Sequence, residues 1–120
     1  MRNIGGMPTS RCIPATRVRV RNYSAEAELL KALGDPHRLN IVAVLAATPH
    51  AVCVCDLVDG LPIGQSSVSH HLAILRDAGI VTSERRGNWA YYTLVPGLRG
   101  RLRTAFSEIL PAAKRLSRAS

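Results

Sequence analysis

From residue 24 onward apolar residues recur at helical spacing, and the breaks between them divide the chain into short helices. Ser24 can cap a first helix, Glu26 and Glu28 suit its positive N-terminal end, and Ala25, Leu29, Leu30, Ala32 and Leu33 supply apolar surface. Gly34-Asp35-Pro36 reads as stop, N-cap and first helical position. Leu39 to Ala47 is apolar nearly all round, which predicts a second helix buried in the domain centre and ended by Pro49. Cys53 to Asp59 predicts a short third helix closed by Gly60, and Leu61-Pro62-Ile63-Gly64 is the turn before a fourth. In that fourth helix Val68, Leu72 and Leu75 form the buried stripe, while Ser66, Ser69, His70, Ala73 and Arg76 lie on the opposite face.

Gly79 supplies a left-handed stop, after which the period changes. Ile80 to Glu84 begins a strand, Arg85-Arg86-Gly87-Asn88 reads as a turn, and Trp89 to Val95 returns with strict alternation, giving a two-stranded hairpin with a cationic tip. Pro96 can open a last helix whose stripe is Leu98, Leu102, Ala105, Ile109, Ala112 and Leu116, with Pro111 expected to kink or fray it. That stripe has no partner left within the domain, so it points to dimerisation. Four helices, a hairpin and a closing helix make the fold class mainly α with a small β-hairpin: a winged helix-turn-helix over residues 24–118, preceded by a basic arm at 1–23.

Charge changes the picture mostly at the front. The 120 residues carry 16 Lys plus Arg against 8 Asp plus Glu, a net +8 that favours a polyanionic partner, nucleic acid before membrane. Arg2, Arg11, Arg17, Arg19 and Arg21 meet no acid up to Tyr23, so most of the excess lies in the arm and the rest of the chain is only mildly basic. The arm resembles an organellar transit segment in composition, but Pro8 and Pro14 interrupt any long amphipathic helix, and Met7 is an alternative start. The longest apolar run, Ile41 to Ala47, is too short to cross a bilayer, and no apolar h-region follows the arginines. The expected setting is therefore the cytoplasm, with no membrane partner.

Three cysteines are an odd number, and a Cys-x-Cys pair closes a tight ring, so free thiolates in a reducing compartment are expected. Thiolates select soft or borderline ions. Residues two apart on an ideal helix point about 200° away from each other, so Cys53 and Cys55 would have to unwind the start of the third helix to grip one ion. A three-coordinate site needs another thiol, and Cys12 in the arm is the one remaining. His50, three residues before Cys53, is a candidate for a mixed Cys/His site for zinc or cadmium, its bland alternative being a solvated loop histidine.

Ser, Gln and His side chains can bond base edges or phosphates, which makes Gln65, Ser66, Ser67, Ser69 and His70 the candidate contacts of a reading helix in the major groove. His71 sits beside the apolar stripe and reads as a packing residue. Arg85 and Arg86 are candidates for a minor groove or for phosphates. Arg38 and Arg76 fit either phosphate contact or intrahelical pairing.

The segments Ala32-Leu-Gly-Asp-Pro-His-Arg-Leu39, Cys53-Val-Cys-Asp-Leu57, Gln65-Ser-Ser-Val-Ser-His-His-Leu72 and Leu75-Arg-Asp-Ala-Gly-Ile-Val81 resemble the ArsR/SmtB family of dimeric metal-sensing transcriptional repressors, over roughly residues 24 to 110. The Cys-x-Cys-Asp-Leu segment resembles the metal box of the arsenite- and cadmium-sensing branches. The resemblance implies a homodimer that binds an inverted repeat of double-stranded operator DNA and leaves it when arsenite or antimonite is held by Cys53, Cys55 and Cys12, since some members combine arm cysteines with the box across the dimer. Cadmium, lead or zinc, or oxidation of the thiol pair, are the alternative inputs on the same fold. Members that sense zinc through the last helix carry Asp, His and Glu there, whereas Glu108 is the one acid after Pro96. The chain departs from the family at Ala51-Val52, at Asn40 and at Gly64, the last taking the usual Ser N-cap position of the reading helix. An enzyme using Cys53 as nucleophile with His50 as base is disfavoured, because no orienting acid or oxyanion loop accompanies them. An architectural DNA-binding protein without effector is the remaining rival.

Overall fold

Residues 20–112 are described by the structure, a computed structural model; Cys12, Leu116 and most of the basic arm fall outside them. The described elements are α1 (Ser24–Leu33), α2 (Pro36–Ala47), β1 (Val52–Cys53), α3 (Val54–Gly60), α4 (Gln65–Asp77), β2 (Val81–Arg86), β3 (Trp89–Leu94) and α5 (Leu98–Ile109). Ser24 is the first residue of α1 and not its cap, that place falling to Tyr23 with no side-chain bond, whereas the start of α2 follows the local chemistry. Asp35 caps α2, its carboxylate accepting from the backbone of His37 at 2.8 Å and Arg38 at 3.1 Å, with Pro36 in the first turn where no donor is needed. Gly64 stands at the N-cap of α4 with no side chain to bond the free amides, as the replacement of Ser by Gly there implies. At the other end of α4, Gly79 has φ 73°, the left-handed conformation the sequence calls for.

Val68, Leu72 and Leu75 of α4 are fully buried and meet Ile41, Leu57, Ile80 and Val81, so the reading helix is held by the middle of the core. α5 buries Leu98 and Ala105 and packs Leu102 against the core, so this part of its stripe has a partner within the domain, contrary to expectation; the helix stops at Ile109, two residues ahead of Pro111.

Three further expectations need correction. The sheet has three antiparallel strands in the order β1-β3-β2, because Val52 and Cys53 pair with Tyr92 and Tyr91 of β3. Two residues are too few to show a period of two, so nothing in the pattern marks β1. Arg85 and Arg86 are the end of β2, facing Ala90 and Trp89, and the turn proper is Gly87-Asn88. Finally, α2 is not buried all round: Ile41 and Leu45 face the core, while Leu39 is 52% and Val44 40% exposed. The core packs against one side of α2 only, and among the described residues nothing covers the other.

Candidate metalloid-thiol site and DNA-reading surface

The cysteine box sits where strand gives way to helix. Cys53 ends β1 and is the N-cap of α3, with extended φ −66° and ψ 141°, while Cys55 lies in the first turn. This corrects the expectation that both belong to the helix and must unwind it. An extended residue followed by a helical one brings the two Cα atoms to 5.2 Å, inside the usual disulfide span, and the sulfurs are joined as a disulfide. The expected obstacle of a tight ring is thus met by the change of backbone conformation between them. Cys53 Sγ also accepts from the Cys55 amide at 3.3 Å, replacing the oxygen of an ordinary cap.

Cys53 is buried and Cys55 partly so. His50 is exposed and donates from Nδ1 to its neighbour's carbonyl, Ala51 O, at 3.0 Å. Among the described residues no three His, Cys, Asp or Glu side chains are gathered as a metal site. Two soft sulfurs therefore stand together, and a third donor for them has to come from elsewhere in the chain or from a second copy.

The reading helix presents Gln65, Ser66, Ser67, Ser69 and His70 to solvent along one side of α4, directly behind the turn from α3. On the hairpin the two arginines differ. Arg86 lies on the outer face, its guanidinium 4.5 Å above the Tyr91 ring and 3.3 Å from Glu84, so its charge is already engaged. Arg85 points to the other face and, among the described residues, makes only a 3.5 Å bond to Asn88 O. Trp89, opposite Arg86, is 51% exposed, and a tryptophan at a hairpin tip is a signal legible in the sequence.

Arg38 is not a surface cation. Its Nε donates to Ala32 O at 2.6 Å and its Nη1 lies 3.0 Å from His71 Nδ1, which ties α1, α2 and α4 together. His71 is therefore more than packing. Arg76 is exposed, 3.7 Å from Asp77.

Residues 35–83, the span from the α2 cap through α4 into β2, match the sequence profile described as "Bacterial regulatory protein, arsR family". The chain is 43% identical over 76 residues to a helix-turn-helix transcriptional regulator of Methanocaldococcus jannaschii, covering 63% of this chain and 84% of that one. The chain belongs to the ArsR family. Within that family it is 41% identical over 69 residues to the arsenical resistance operon repressor of Escherichia coli, 58% of each chain being covered. The crystal structure of the transcriptional repressor BigR from Xylella fastidiosa superimposes with a TM-score of 0.56 at 33% identity, over 72% of this chain and 87% of that one. Membership of the ArsR family makes the chain a transcriptional regulator with a winged helix-turn-helix, not an enzyme.

Proposed function

We propose that the chain is a homodimeric repressor that holds an inverted-repeat operator in its metal-free form and releases it when arsenite or antimonite is bound by Cys53, Cys55 and Cys12. The observation that carries this reading is the pairing of the two sulfurs at the N-cap of α3, one seven-residue helix and one short loop ahead of the reading helix. The similarity to an arsenical resistance operon repressor supports the choice of ion. The donor chemistry fits: arsenite exchanges its three hydroxyls for three thiolates, the thiol protons leaving with them as water, and no electron is transferred.

Cys53 belongs to two elements at once. A change in its backbone on ligation bears on α3, which leads into the reading helix, and on β1, which pairs with the wing. A two-state element biased by a local bond is what release of DNA requires, and about 1–3 kcal/mol of coupling suffices. Gln65, Ser66, Ser67, Ser69 and His70 take the major groove, with Arg85 and Arg86 at the wing. The exposed apolar side chains Phe106, Ile109 and Leu110 at the end of α5 supply the dimer contact, and a two-fold dimer matches two half-sites.

The joined sulfurs favour one second reading, a thiol-redox input. There Cys53 and Cys55 give two electrons and two protons to a peroxide, which leaves as water or alcohol plus water, and the disulfide forms. A mobility-shift assay on the DNA upstream of the chain's own reading frame separates the two. Retardation of that DNA by reduced, metal-free protein, reversed by arsenite, supports the first reading. Reversal by peroxide but not by arsenite replaces it with the second, and no retardation at all overturns both.

A further inference from the structure

The corner where α1 ends and α2 begins holds a charged cluster that the thiol site does not use. Arg38 reaches out of the first turn of α2 with both ends of its guanidinium engaged: Nε donates to Ala32 O in the last turn of α1 at 2.6 Å, and Nη1 meets His71 Nδ1 of α4 at 3.0 Å. Asp35 completes the corner, capping α2 through Oδ1 while the same oxygen lies 4.0 Å from His71 Nε2. The His37 and His70 rings stand 5.7 and 5.8 Å from the His71 ring.

The tautomer follows from the partners. A guanidinium has donors only, so His71 Nδ1 must be the bare acceptor and the ring proton sits on Nε2, towards Asp35. The contact therefore exists only for the neutral ring. With a proton on each nitrogen, Nδ1–H would face the Arg38 donor and two positive charges would share the corner.

We propose that Arg38 and His71 are positioning residues for DNA binding, a lock that seats the reading helix on the α1–α2 corner and opens when His71 takes up a proton. This rests on the reading of the chain as an operator-binding protein. His71 lies among the reading residues: Ser67 is one turn earlier on α4 and His70 is its neighbour, both exposed, so a shift of α4 at this point moves the surface that meets DNA. Burial, leaving the side chain 13% exposed, is the main reason its proton is held less tightly than by an ordinary histidine. The Asp35 carboxylate opposes that, and Arg38, His37 and His70 reinforce it. The sign is then fixed: the neutral, locked form already prevails at the ordinary histidine value, and the lock is lost only as pH falls through the lowered one.

The test measures anisotropy of the whole chain on a labelled duplex from the DNA upstream of its reading frame, from pH 5.5 to 8, with the wild type as parent, so that every other histidine contributes equally to parent and variant. His71→Asn keeps an acceptor where Nδ1 stands but cannot protonate; His71→Leu removes it. Expected at pH 7.5 are near-normal affinity for His71→Asn and a loss of roughly tenfold or more for His71→Leu, the scale of a hydrogen bond to a charged group. Arg38→Lys, which cannot reach Ala32 O and His71 together, falls between them. The acid limb of the parent is expected to flatten in His71→Asn. A His71→Asn profile that superimposes on the parent's overturns the proposal, and that comparison holds even where His71→Leu fails to fold. Failure of the parent itself to bind the duplex at pH 7.5 overturns the functional reading instead.

Discussion

Cys53 and Tyr91 are register partners across β1 and β3, and the Tyr91 ring carries the Arg86 guanidinium at 4.5 Å. The thiol box is thus joined to the wing as directly as to the reading helix. A ligand that displaces Cys53 is expected to strain the pairing of the residue that carries the aromatic-cation stack.

Trp89, the one tryptophan of the chain, stands opposite Arg86 on the same hairpin face and so reports on that connection. Arsenite added to the reduced protein without DNA is expected to shift or quench its emission, and Cys53→Ser is expected to abolish the change. Identical spectra with and without arsenite would show that the wing does not take part.

The two wing arginines are expected to behave differently despite being neighbours. Arg86 is spent on Glu84 and Tyr91, whereas Arg85 is held, among the described residues, only by Asn88 O. Arg85→Ala should weaken binding to any duplex and lower the slope of log affinity against log salt by about 1, one phosphate contact. Arg86→Ala should change the slope less. Anisotropy at several salt concentrations measures both.

Stability should depend on the core far more than on the caps. Leu72 is fully buried beneath the reading helix, so Leu72→Ala is expected to cost about 2–5 kcal/mol. Asp35→Ala removes the α2 cap and should cost about 1 kcal/mol. The Asp35 carboxyl is held below its ordinary value chiefly by the Arg38 amide, so its share is present above that ordinary value and is lost as pH falls through the lowered one. Urea unfolding of the two variants, with Asp35→Ala repeated at acid pH, checks the order and the sign.

The sequence carried some of this plainly and some not at all. Asp35-Pro36, the Val68, Leu72, Leu75 stripe and Gly79 are local signals, and each stands where the spacing put it. β1 was hidden because a strand of two residues has no period, and with it went the correct place of Cys53: a residue read as helical is an extended cap, so the predicted unwinding of α3 is unnecessary. The apolar run of α2 says that its side chains avoid water but not which neighbour covers them, and Leu39 remains exposed. The Arg38–His71 bond joins residues 33 apart in sequence, a tertiary pairing that no window of the chain displays.

The proposed dimer contact is open to a direct challenge. Leu110 is 72% exposed and Phe106 47%, on a helix whose inward side is already buried. Charged replacements, Phe106→Glu with Leu110→Glu, are expected to convert a dimer into a monomer in sedimentation equilibrium and to weaken operator binding with it. A double variant that sediments as the wild type does would place the interface elsewhere.

The most direct measurement is an arsenite titration of the protein already bound to its operator, kept under reductant and followed by anisotropy, for the wild type and for Cys53→Ser. The expected result is release of DNA by the wild type at low arsenite and retention by Cys53→Ser, with equal starting affinities. Release of both variants at the same arsenite concentration, or of neither, would contradict the assignment of Cys53 and Cys55 as the switch.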